Sequence, residues 1–150
     1  MSNESARQKV LRTYAILDTP REQSYDDLTR LAAHVCGTPM AAIVLIDATR
    51  QWCKAEIGMP PRAADLTAVF GAYAIESDEL LLVEDAIQDP RFATHPSVVG
   101  EPQIRFYAGI PLVSALGPRI GVLAVLDTTP RRLNDSQIEL LQALARQVSD

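Results

Sequence analysis

Apolar positions along the chain change period several times, and each change marks an element. Ala6, Val10, Leu11 and Tyr14 fall on one side of a short helix over 3–14. Thr19, Pro20 and Glu22 then form a helix start, with a Thr cap, a Pro at the first helical position and a Glu placed to reach back to the cap. Tyr25, Leu28, Leu31, Ala32 and Val35 repeat every three or four residues, and Gly37 with Pro39 supplies the stop near Cys36. The run MAAIVLI, Met40 to Ile46, has no alternation and reads as a strand covered on both faces. A turn at 47–50 leads to a second strand over 51–57, and so short a connection forces antiparallel pairing. Strands over 104–113 and 120–128, joined at Gly117-Pro118, make a second hairpin. Between the hairpins, 60–100 is rich in Pro, Asp and Ala, with a short helix expected over 67–75 and a short strand over 80–83. Asn134 with Gln137 opens a last helix, whose stripe of Ile138, Leu141, Leu144, Ala145 and Val148 runs to the final residues with no stop signal.

This order of elements excludes a doubly wound parallel sheet and predicts an α+β fold: a central antiparallel sheet of five or six strands with helices on both faces. A chain of 150 residues with 47% hydrophobic residues suits one domain over 1–150, made of a helical N-terminus (3–36), a sheet and pocket (40–128) and a C-terminal helix (134–150). The net charge of -5, with no Lys/Arg block, removes the footprint of a nucleic-acid or anionic-membrane binder. No apolar stretch approaches the roughly 18 residues of a membrane span, and 1–14 has no signal-peptide core, so a cytoplasmic location is expected.

Chemistry-bearing motifs are absent: no GxGxxG, Walker-type loop, GxSxG, HExxH or CxxC occurs. His34 and Cys36 stand two apart on a helix, on different faces, so no metal site is expected there. His95 in DPRFATHPSVVG reads as a solvent-exposed loop residue. Asp85, Asp89, Arg91 and Arg105 bracket loops at strand ends, either gripping a polar ligand through charge-assisted bonds or serving as caps and loop-pinning pairs.

LDTP (17–20), LTRLAA (28–33), DATRQW (47–52), DPRF (89–92), RFYAGIPL (105–112) and GVLAVLD (121–127) occur in an order that resembles bacterial GAF domains, across nearly the whole chain. The resemblance implies a PAS-like fold with a ligand pocket on one sheet face and the terminal helices on the other. It implies a non-catalytic sensory role in signal transduction, with the pocket state relayed through the C-terminal helix to an output domain of kinase, cyclase, phosphodiesterase or transcriptional type. The candidate ligand-binding residues are Trp52, Phe70, Tyr73, Asp85, Arg91, Phe92, Arg105 and Tyr107; the ligand and any cofactor are unknown, and no metal is expected. Two departures stand out. The family's FCAHAI reads FGAYAI here, so Gly71 and Tyr73 replace a pocket Cys and His, and Cys53 stands where RQWFK has an aromatic residue. They leave open a second reading, a dimerisation and relay module whose pocket is vestigial. A redox enzyme resembling free methionine sulfoxide reductases needs several pocket thiols, whereas only Cys36 and Cys53 are present. Leu141, Leu144 and Val148 keep coiled-coil spacing, from which a parallel homodimer through the first and last helices is expected.

Overall fold

β1 (Met40–Ile46) lies inside a five-stranded sheet of order β2-β1-β5-β4-β3, and every one of its residues is buried. Its partners are β2 (Gln51–Ile57) and β5 (Arg119–Asp127), while β4 (Phe106–Val113) joins β5 to the short edge strand β3 (Leu81–Val83), all antiparallel. The computed structural model describes residues 23–46, 51–60, 63–113 and 119–149. The expected helix over 3–14, the Thr19 cap and the turns at 47–50 and Gly117-Pro118 lie outside them.

Alternating residues of the central strands feed two apolar layers. On one side Ala41, Ile43, Ala108, Ile110, Leu112, Leu123 and Val125 pack against α1 (Gln23–Cys36) and the C-terminal helix. On the other, Met40, Ala42, Val44, Tyr107, Val122, Ala124 and Leu126 pack under α2 (Ala63–Ala74), the 3-10 turn Ala86–Gln88 and the one-turn helix α3 (Pro96–Val99). The C-terminal helix, α4, spans Asp135–Ser149. Helices thus cover both faces.

Local signals fix the helix ends. Gly37 takes φ 68°, which is costly for any residue with a Cβ, and Thr38 N–H reaches Ala33 O at 3.0 Å while Gly37 N–H reaches His34 O at 3.2 Å, closing α1 in a Schellman arrangement. At the start of α4, Gln137 N–H donates to Asn134 Oδ1 at 2.8 Å and Asn134 N–H donates to Gln137 Oε1 at 2.9 Å, a reciprocal box. The same Gln137 donates through Nε2 to Val35 O at 3.2 Å, so the first turn of α4 is tied to the last turn of α1. Arg131 adds to this junction: its N–H donates to Glu84 O, its Nε pairs with the Asp127 carboxylate, and its Nη1 approaches Cys36 O.

Pro111 stands in β4, where it offers no N–H to an outer neighbour, and β3 pairs only as far as Gly109. The β1–β2 register places Ala55 opposite Ile43 but Cys53 opposite Val44, which leaves Lys54 as a bulge. Lys54 is only 2% exposed, its ammonium 5.5 Å from the Tyr25 ring centre and 5.9 Å from that of Trp52.

The seam expected on the last helix divides differently. Leu141 and Ala145 are buried against the sheet, with Ile138, Leu144 and Val148 packed beside them, so Leu141 belongs to the monomer's own core. What α4 presents outward is Leu140, 48% exposed, while α1 presents Leu31, 49% exposed. A stripe as wide as the one in this sequence serves both the sheet and a second surface, and spacing alone does not say which residue goes where.

Candidate functional site

The α2-side face of the sheet holds most of the candidate residues. Phe70 of α2 is fully buried and stacks between Tyr107 of β4, centroids 4.6 Å apart, and Phe92 of the loop before α3, 4.5 Å apart. Both contacts are near-parallel, at 15° and 29°, the offset-stacked geometry that aromatic pairs favour. Tyr73, one turn after Phe70, sets its ring edge-on to Phe92 at 5.2 Å and is 41% exposed, so it forms the rim. Arg91 lies over both rings, 5.6 Å from Tyr73 and 5.0 Å from Phe92. A fork to Asp89 holds it there, with Nε on Oδ1 at 3.0 Å and Nη2 on Oδ2 at 2.8 Å. That hydrogen-bonded pair pulls Asp89 below the ordinary carboxylate range and raises Arg91 further.

Thus Phe70, Tyr73, Arg91, Phe92 and Tyr107 come together. Asp85 and Arg105 have loop-building partners instead. Asp85 Oδ1 accepts Ile87 N–H at 3.2 Å and caps the 3-10 turn, while Arg105 Nη1 donates to Val98 O at 2.8 Å and pins α3. Trp52 is elsewhere. Its neighbour Cys53 packs into the α2-side core, whereas Trp52 stands with Lys54 and Tyr25 on the α1 side. His95 is not a free loop residue: it is half-buried, and its Nδ1 accepts Ser97 N–H at 3.2 Å at the start of α3, with Ser97 Oγ 2.9 Å away.

Two residues that the hydrophobic pattern does not single out shape this face. A Cβ at Gly109 would stand 2.6 Å from Tyr107 Cε1 and 2.7 Å from its hydroxyl, so the Tyr107 ring lies flat over the bare glycine. The i, i+2 spacing of Tyr and Gly in RFYAGIPL is the signal that was available. Likewise a Cβ at Gly71 would come within 2.7 Å of Gln51 Oε1. The Gln51 amide occupies the place that a side chain at 71 would take; its Nε2 donates to Ala68 O at 2.9 Å and its buried Oε1 has no partner.

The two thiols lie on opposite faces of the sheet, Cys36 in the α1 layer and Cys53 in the α2 layer. Burial pushes Cys36 up to about 11, and burial aided by Glu56 pushes Cys53 up to about 12. Both are protonated, weakly nucleophilic thiols at neutral pH. Among the described residues no group of three His, Cys, Asp or Glu side chains is placed to hold a metal, and no helix is long and apolar enough to cross a membrane.

Known proteins resemble this chain in sequence and in fold. The chain is 37% identical over 147 residues to a cyclic di-GMP phosphodiesterase of Pseudomonas aeruginosa, an overlap of 97% of this chain and 25% of that protein, so the chain spans a quarter of the length of the curated relative it matches. The crystal structure of the GAF domain from an Acinetobacter phosphoenolpyruvate-protein phosphotransferase superposes with a TM-score of 0.70 at 22% identity, covering 99% of this chain and 92% of that one. A type II free methionine-R-sulfoxide reductase from Thermoplasma acidophilum superposes with a TM-score of 0.67 at 9% identity, over 99% and 93% of the two chains, a likeness of fold alone. The GAF domain family model matches residues 20–150, and with a sheet and helix arrangement of the same kind this chain belongs to the GAF domain family.

Proposed function

We propose that this chain is a non-catalytic sensory and relay module of a signalling protein. It works as a parallel homodimer and reports the state of its α2-side face through α4. The reading rests chiefly on one observation: β4 presents Tyr107 to the α2-side face, while Ile110 and Leu112, on the same strand, belong to the layer that packs Leu141 and Ala145 of α4. Interiors are close-packed, so a shift of β4 that accommodates a change at Tyr107 is felt under α4. The ties from Gln137 to Val35 and from Arg131 to Asp127 make α1 and α4 respond as one unit. In the described state the α2-side face is closed by the protein's own Phe70, Phe92 and Tyr107, all at most 1% exposed, which is what a vestigial pocket or a resting sensor displays.

Leu31 and Leu140 supply the outward apolar positions for pairing, and a second copy covers them at little cost in specificity. The relationship to a cyclic di-GMP phosphodiesterase supports an output domain that turns over this dinucleotide, carried outside the matched region. Catalysis by the chain itself is disfavoured by the thiols, which are protonated and separated by the sheet.

The relay is tested in a chimera in which this chain replaces the matched quarter of the Pseudomonas phosphodiesterase. Each helical residue inserted directly after α4 rotates the downstream domain by about 100°. Two inserted residues should invert or abolish the control of cyclic di-GMP hydrolysis, and seven should restore it. Equal activity for both insertions would remove the reading.

A further inference from the structure

β4 is longer than the strand that covers it. β3 pairs with it from Tyr107 to Gly109, whereas β5 stays paired on the other side as far as Val113. From Ile110 to Val113 the outer edge of β4 therefore has no strand neighbour among the described residues. Such an edge presents main-chain donors and acceptors to any extended chain laid beside it. Pro111 removes one donor from this stretch and leaves its carbonyl.

A cleft of about 500 Å³ opens at this edge, on the α4 side of the sheet. The buried Ile110 and Ala145 form its floor, and Pro111 and Val113 continue it along the strand. One wall is the flank of α4, where Gln142 and Arg146 stand exposed, one turn apart, beside the buried Leu141 and Ala145. Another wall is Asp78, from the segment between α2 and β3. Arg119 anchors it: Nη1 donates to Asp78 Oδ1 at 2.7 Å while Nε donates to Ile75 O, and the Asp78 side chain still keeps 75% of its surface exposed. Gln142 and Arg146 are turned about 200° and 240° around α4 from Leu140, so a second copy seated on Leu140 leaves this flank free.

We propose that this cleft binds a free peptide of two or three residues with apolar side chains, laid along β4 as an added strand, its C-terminal carboxylate on Arg146 and Gln142 and its N-terminal ammonium on Asp78. The four residues of open edge span about 10 Å, the reach of an extended tripeptide, and the volume is that of an ordinary ligand site. Main-chain bonds to the edge supply affinity, and alternate side chains of the peptide reach the apolar floor. The Arg146 guanidinium suits a carboxylate fork, while the cation and the anion on separate walls select a ligand charged at both ends. Ile110 and Ala145 also belong to the layer that joins β4 to α4, so an occupied cleft bears on that contact. This consequence rests on the relay reading above; the binding itself does not.

The test uses the whole chain, calorimetric titration and backbone-amide NMR, with the tripeptide alanyl-leucyl-alanine as probe. It should bind with a Kd of about 1 mM or tighter, and its N-acetylated form, its C-amidated form and free leucine should each bind about tenfold more weakly. The largest amide shifts should fall on Ile110, Leu112, Val113 and the Gln142–Arg146 turn. Arg146→Gln should take the free and amidated tripeptides equally, and Asp78→Asn the free and acetylated ones equally. Both side chains are exposed, so both variants should melt close to wild type. The proposal is overturned if the tripeptide shows no saturable binding up to about 10 mM, if blocking either end or shortening it to leucine leaves affinity unchanged, or if either variant keeps the wild-type preference. Shifts centred on α2 instead of the β4 edge would overturn it as well. None of these readouts depends on cyclic di-GMP hydrolysis, so a failed peptide site and a failed relay are told apart.

Discussion

The side-chain amide of Gln137 donates to the carbonyl of Val35, 3.2 Å away, while its Oε1 accepts the N–H of Asn134. One side chain therefore caps the start of α4 and the end of α1 together, satisfying two groups that helix termini leave open. Gln137→Ala should cost about 1–2 kcal/mol in denaturant titrations. Gln137→Glu keeps the acceptor for Asn134 but cannot donate to Val35, and should fall between. A Glu variant as stable as wild type would show that the tie to α1 contributes nothing.

Gly71 and Gln51 are coupled through space. Gly71→Ala alone sets a Cβ within 2.7 Å of Gln51 Oε1 and should push the amide off Ala68 O, offsetting the gain of about 1 kcal/mol that Ala brings to a helix interior. In a Gln51→Ala background the clash is gone, and the same change should stabilise by about 0.5–1 kcal/mol. A double-mutant cycle with no interaction energy would contradict the contact.

The Asp89–Arg91 fork carries a pH signature. Hydrogen bonding to Arg91 holds Asp89 below its ordinary value, so the carboxylate binds fewer protons in the folded state than in the unfolded one. Its contribution is fully present above pH about 4, the unfolded value, and is lost as pH falls through the lowered folded value. The gap in melting temperature between wild type and Asp89→Asn should hold steady from pH 7 to 5 and shrink below 4. A gap that persists unchanged at pH 3 would mean that the pair does not stabilise through charge.

Cys36 and Cys53, pushed up to about 11 and about 12, should alkylate at pH 8 at least about a hundredfold more slowly in the native chain than in the unfolded one. Their raised values also mean that the unfolded thiols ionise first, so stability declines as pH rises above about 8.5. Rapid labelling of either thiol in the native state would reopen redox chemistry.

The range of each interaction decides whether the sequence reveals it. Gly37 and the Asn134/Gln137 box are local, and α1 and α4 end and begin where those residues stand. The unbroken apolar run 40–46 marks a central strand because both faces of β1 are covered. Trp52 misleads as a pocket residue because the Lys54 bulge resets the alternation of β2, and a bulge leaves no mark in a hydrophobic pattern. His95 reads as loop until Ser97 N–H is seen to end on its ring. The aromatic stack needs residues 70, 92 and 107 brought together by tertiary packing, and no spacing announces it.

Sedimentation velocity at micromolar concentration tests the paired relay most directly. The account predicts a dimer for the 150-residue chain, converted to monomer by Leu140→Glu, which places a charge on the outward face of α4 without touching the buried Leu141. A clean monomer, unchanged when α4 is extended into the phosphodiesterase chimera, would contradict it.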